Sequence, residues 1–179
     1  MSESEFIPVP APGEADANRR VALAWAALAS VEDPEIPALS IIDLGLIRFV
    51  ERRSDGTLGV GLSPTYVGCP ATEVIRRSVE RALSRAGVGT FAVTNVLSPA
   101  WSSDWITAEG RRKLETYGIV PPERGAASMR DLLRKVRPVG CPRCRSADTE
   151  CISEFGSTPC KALHRCRACL EPFEYFKCI

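Results

Sequence analysis

The residues in this 179-residue chain best equipped for chemistry are its eight cysteines, and they are unevenly placed. Cys141, Cys144, Cys151, Cys160, Cys166, Cys169 and Cys178 all fall in the last 39 residues, while Cys69 stands alone before them. Cys141-Pro-Arg-Cys144 and Cys166-Arg-Ala-Cys169 form two C-x2-C knuckles separated by 21 residues. Four thiolates presented as two tight pairs satisfy a tetrahedral divalent ion, with sulfur about 2.3 Å from zinc. The spacing is near the usual zinc-ribbon range. A module this short cannot bury enough surface to fold alone, so a bound metal would supply folding free energy directly. Structural zinc on Cys141, Cys144, Cys166 and Cys169 is therefore the expectation, with an iron–sulfur cluster on four cysteines as the alternative. Cys160 and Cys178 remain open to binding a second metal, transferring one, or replacing a knuckle ligand. Cys151 reads as a small buried apolar residue. His164, the chain's single histidine, reads as structural or solvent-facing, because four thiolates already complete a zinc site.

Cys69 lies in Pro64-Thr-Tyr-Val-Gly-Cys-Pro-Ala71, at the expected start of a helix. A helix N-terminus favours thiolate over thiol, Pro70 suits the first turn, and Gly68 permits close approach of another group. Position alone weighs equally for a buried structural cysteine. A nucleophilic cysteine normally needs a histidine base, and the single histidine lies far away in the cysteine-rich module. A thiolate that holds a soft metal or a transferred iron–sulfur unit needs no such partner. Asp43 and Thr65 lie in loops able to surround the same spot. No phosphate-binding glycine loop, dinucleotide fingerprint, nucleophile elbow or histidine–carboxylate metal motif occurs, so no other catalytic constellation is read from the residues.

These residues must be positioned by a modest set of elements. Residues 1–16, rich in Pro, Ala and Glu, read as a leader, with Asp16 capping a helix that turns Val21, Ala24, Trp25 and Leu28 to one face. Pro34 ends it. Leu46–Glu51 and Thr57–Leu62 read as a hairpin about Ser54-Asp55-Gly56. A helix from Cys69 to Ala86 buries Ile75, Val79, Ala82, Leu83 and Ala86, and Gly87 stops it. Phe91–Leu97 is a third strand. The loop Ser98–Ile106 carries Trp101 and Trp105, which either face a partner or cover the sheet. Thr107 caps a short helix ending at Gly118. The expected organisation is a small α/β domain over residues 17–120, an arginine-rich linker over 121–138, and the cysteine module over 139–179.

Composition narrows the function class. Lysine plus arginine number 23 against 22 acidic residues, a formal net charge of +1. The cysteine module is as balanced, with six basic and five acidic residues. That argues against nucleic acid and membrane surfaces as partners, since both reward clustered positive charge. The acidic N-terminus has no apolar run, so neither a secretory signal nor a membrane helix is expected. A cytoplasmic chain keeps its thiols reduced, which favours metal over disulfides.

DPEIPALSIIDLGLI, then SPTYVGCPATEVI, then WSSDWIT with GRRKLETYGIVPP, resembles the SufT-like iron–sulfur assembly domain. Over residues 19–179 the chain is similar to the PaaD family, accessory proteins of the phenylacetyl-CoA epoxidase system; CPRC…SEFGSTPCKALHRCRACLEPFEYFKCI matches that family's C-terminal extension. The resemblance implies an α/β (α+β) fold, a small SufT-like domain followed by a zinc-ribbon-like module. It implies an accessory role in phenylacetate degradation, helping assemble or maintain iron or iron–sulfur centres of the oxygenase, with the epoxidase subunits as partners. A structural adaptor that transfers no metal is the alternative. It places the metal or cluster contact at Cys69, with Asp43 and Thr65 beside it. The residues after the knuckles, Arg145 and Leu170, depart from the glycine often found there.

Overall fold

The computed structural model describes residues 12–66, 68, 71–125 and 139–177. Cys69, Cys178, most of the arginine-rich linker and most of the leader lie outside them. The first helix, α1 (Pro12–Ala29), begins four residues ahead of the expected Asp16 cap. Proline at a first helical position has no amide to leave unpaired and a φ already suited to the helix. Ala24 and Leu28 are buried as expected, but Trp25 faces outward, 37 % exposed. The apolar stripe is narrower than its spacing suggested.

The hairpin forms as β1 (Ile47–Arg52) against β2 (Leu58–Leu62). Strand β2, Leu-Gly-Val-Gly-Leu, is buried throughout. Its glycines have a steric role: a Cβ on Gly61 would sit 2.5 Å from the Phe49 ring. Helix α2 (Ala71–Arg85) crosses over the sheet on Ala71, Ile75, Val79 and Leu83 and returns the chain as β3 (Phe91–Asn95), parallel to β2. Arg20 ties α1 to this sheet, its guanidinium donating to the carbonyls of Val88, Gly56 and Thr90 at 2.7–3.2 Å.

The tryptophan loop folds inward at one residue. Trp101 is 3 % exposed and its indole Nε1 donates to the Leu44 carbonyl at 2.9 Å. Trp105 lies under the Arg48 guanidinium, 3.3 Å from ring centre to Cζ. Helix α3 (Ala108–Tyr117) follows, with the Thr107 hydroxyl accepting from the Gly110 amide and Gly118 closing it at φ +88°. The caps are those expected.

Beyond α3, strand β4 (Ile119–Val120) leaves the first half and joins the ribbon. The second sheet has the order β4-β7-β6-β5, built from β5 (Thr149–Ser153), β6 (Lys161–Cys166) and β7 (Pro172–Phe176). β4 runs parallel to β7, with Ile119 opposite Glu174. Phe176 and Cys160 are buried in the same apolar core as Trp101, Leu44 and Ile75. Two halves that read as joined end to end therefore share a sheet and a core.

Candidate metal centre and interdomain cleft

The knuckles close on each other at one end of the ribbon. The ligand atoms of Cys141, Cys144, Cys166 and Cys169 all lie within 4.8 Å of one another. Cys141 and Cys169 Sγ stand 3.7 Å apart, and Cys144 and Cys166 Sγ 3.5 Å. Four sulfurs at about 2.3 Å from a tetrahedral centre would be separated by about 3.8 Å. The donor set thus fits one zinc ion in both chemistry and size, and these four thiols form a metal-binding site.

Local backbone makes this possible. The Cys144 amide points at Cys141 Sγ and the Cys169 amide at Cys166 Sγ, each at 3.5 Å. To complete each loop the next residue turns left-handed: Arg145 has φ +62° and Leu170 φ +63°. These are the two positions where glycine was missing, and both take a glycine's conformation, at about 1–2 kcal/mol each. Arg143 and Glu171 bridge the two knuckles at 2.5 Å.

The four thiols do not ionise alike. The Cys169 amide is the main influence holding Cys166 down, at about 7. Cys169 is pushed up to about 12: the Glu171 amide opposes the shift, but burial and the three neighbouring thiols outweigh it. A divalent ion relieves that competition by binding all four as thiolates.

The remaining predicted residues separate into distinct places. Cys160 does not join the four-thiol site. It precedes β6 while Cys166 ends it, which places them roughly 20 Å apart along a strand. It lines a cleft between the two halves, together with Asp33, Glu35, Thr65, Ala71 and Phe176. Asp43 does not line that cleft. Its Oδ2 accepts from Lys113 Nζ at 2.7 Å and from the Ser40 amide and hydroxyl at 2.9 Å each, and its carbonyl accepts from the Thr107 amide. It braces the turn before β1 against α3. Cys151 is exposed rather than buried, because it sits on the edge strand β5. His164 is buried between the Phe173 and Tyr175 rings, 5.7 Å from each, and burial lowers its pKa. It is structural.

Asp33 and Glu35 carry chemistry that spacing did not single out. Asp33 Oδ1 accepts from the Glu35 and Ile36 amides at 2.9 and 2.8 Å, which aligns both carboxylates along the cleft. The available signal was two acids around Pro34 followed by an apolar residue, which reads as an ordinary turn.

An α+β domain of the iron–sulfur assembly type, continued by a four-cysteine ribbon, is the class that this fold and site define. The family model described as "Iron-sulfur cluster assembly protein" matches residues 22–97, and that described as "PaaD zinc beta ribbon domain" matches residues 125–177. An Escherichia coli (strain K12) protein named as one of the subunits of a 1,2-phenylacetyl-CoA epoxidase is 48% identical over 155 residues, covering 87% of this chain and 91% of its own. The chain belongs to the PaaD family. An Fe-S protein maturation auxiliary factor of Porphyromonas gingivalis is 34% identical over 88 residues, 49% of this chain and 83% of its own. Among solved structures, a domain of unknown function, DUF59, from Bacillus anthracis aligns with a TM-score of 0.48 and 28% identity, over 56% of this chain and 92% of its own. No helix among the described residues is long and apolar enough to cross a membrane.

Proposed function

We propose that this protein is an accessory factor of a phenylacetyl-CoA epoxidase, assisting assembly or maintenance of the iron or iron–sulfur centres of that oxygenase complex. Zinc holds the ribbon through Cys141, Cys144, Cys166 and Cys169. Cys69 is the contact for iron or a cluster in transit, with Thr65 beside it. The observation that carries the reading is the pairing of the two modules: an assembly-type domain and a metal-binding ribbon locked together through β4 and β7. Thr65 and Ala71, which lie four residues before and two residues after Cys69 in sequence, both line the interdomain cleft. The sequence similarity to a protein named for a phenylacetyl-CoA epoxidase and to Fe-S maturation factors supports the same assignment. Asp43 enters as a brace for the loop before β1 rather than as a metal contact.

The test is made in cells lacking the chain and supplied with wild type or Cys69→Ser. Loss of epoxidase activity and of client iron with Cys69→Ser, at unchanged zinc in the variant itself, is the expected result. Full activity and full client iron would overturn the reading and leave a structural adaptor.

A further inference from the structure

The outward face of α2 carries a row of positive charge that the fold itself does not use. Arg77, Arg81 and Arg85 recur at every fourth residue and are exposed, turned away from the buried Ile75, Val79 and Leu83. On a helix that spacing advances about 6 Å per arginine along one side. Like charges so placed repel each other. The helix dipole favours Arg85 in the last turn, but its reach does not extend back to Arg77.

The two carboxylates of α2 leave most of this row uncompensated. Glu73 pairs with Arg77 at 3.1 Å, with both side chains well exposed, and Glu80 reaches Arg76 at 4.0 Å. Arg76 is not part of the row: its guanidinium donates to the Val93 carbonyl and to Asn95 on β3. Arg81 donates to the Ser78 hydroxyl at 3.1 Å, and no carboxylate among the described residues pairs with Arg81 or Arg85. The half-exposed Val74 lies beside them, and these side chains together line one open groove along the helix.

We propose that this face of α2 is a docking surface for an acidic helix of a partner protein, with Arg77, Arg81 and Arg85 pairing to its carboxylates and Val74 covering an apolar side chain. Carboxylates at i and i+4 of a helix repeat at the same rise of about 6 Å as the arginines, and a guanidinium binds a carboxylate through two parallel hydrogen bonds. A phosphate backbone fits less well, because Glu80 lines the same groove and would face it with like charge. Charge complementarity of this kind sets orientation and the rate of encounter more than affinity, which suits a factor that visits its client and leaves. The proposal rests on the reading of the chain as an accessory factor of the epoxidase complex and assigns the surface that meets that complex.

Binding of the full zinc-loaded chain to the immobilised, purified epoxidase complex, measured over a series of salt concentrations, tests the surface. Wild type is expected to bind with an affinity that falls as salt rises. The double variant Arg81→Glu with Arg85→Glu is expected to bind at least about tenfold more weakly, since like charges across an interface are disfavoured, and to lose most of the salt dependence. Cys69→Ser is expected to bind as wild type does, which separates docking from iron delivery. Binding that survives the charge reversal, or that ignores salt, overturns the proposal. Absence of wild-type binding also overturns it, while iron delivery through Cys69 is still judged by its own test. Arginine-dependent binding to a short DNA duplex without binding to the complex assigns the row to nucleic acid and overturns it too. Should the reversal variant fail to fold, judged by zinc content and circular dichroism, Arg81→Gln with Arg85→Gln decides, and unchanged affinity overturns the surface.

Discussion

The Phe176 ring, contributed by the last strand of the ribbon, lies 6.1 Å from the ring of Trp101 in the first half, tilted by 55°. Both are buried, Phe176 at 1 % and Trp101 at 3 % exposure, so one apolar core depends on residues 75 positions apart. Truncating Phe176→Ala is expected to cost about 3–5 kcal/mol, the usual range for a buried phenylalanine. Chemical denaturation followed by tryptophan fluorescence measures it. A loss below about 1 kcal/mol would show that the halves do not support each other.

Removing the ribbon metal should therefore be felt far from the knuckles. A chelator, or Cys166→Ser, is expected to unpair β6 and β7, withdraw Phe176 and Cys160 from the core, and lower the melting temperature of the whole chain in one transition. Differential scanning calorimetry reads this. A first half that melts unchanged would contradict it. Binding requires all four sulfurs as thiolates, and Cys169 holds its proton up to about 12 in the metal-free site. Zinc uptake should accordingly release protons and weaken as the pH falls, measurable by calorimetry in buffers of different ionisation enthalpy.

The left-handed residues after the knuckles give a stabilising prediction. Leu170 is 69 % exposed, so Leu170→Gly removes strain with little loss of packing. Arg145→Gly acts at the equivalent turn. Each should stabilise the zinc-bound protein by up to about 1 kcal/mol, less than the full relief because glycine also gains freedom in the unfolded chain. Equilibrium unfolding is the readout.

The Lys113–Asp43 pair yields a pH dependence of defined sign. Burial would raise the Asp43 carboxyl, but the Lys113 ammonium and the Ser40 donors outweigh it and hold the carboxyl below its ordinary 3.8. A depressed carboxylate contributes stability above its unfolded pKa and loses it as pH falls through the folded one. Lys113→Met is expected to cost about 1–2 kcal/mol at neutral pH and to move acid unfolding to higher pH. The difference from wild type should vanish once the carboxyl is protonated in both. A constant offset at every pH would assign the loss to packing instead.

Much of this was legible in the residues. Two C-x2-C pairs announce their own geometry because ligand spacing is local, and Thr107 and Gly118 mark α3 because caps act within one turn. What spacing could not reveal was long-range. β4 is two residues long and has no periodicity to read. Cys160 lies close in sequence to Cys166, and a strand then carries it to the opposite end of the ribbon. Asp33 and Glu35 become a paired feature only when β6 brings a thiol against them. Trp25, on the expected inner face of α1, stays outside because the stripe that packs is narrower than the helical wheel suggests.

Anaerobic transfer to a metal-depleted epoxidase complex tests the central claim most directly. The full chain, loaded with iron and sulfide and keeping its ribbon zinc, is incubated with the depleted complex, and iron in each partner is measured with epoxidase activity. The account predicts that iron leaves the chain, appears in the complex and restores activity, and that Cys69→Ser restores neither. Equal recovery with free iron and sulfide alone, or with Cys69→Ser, would contradict it.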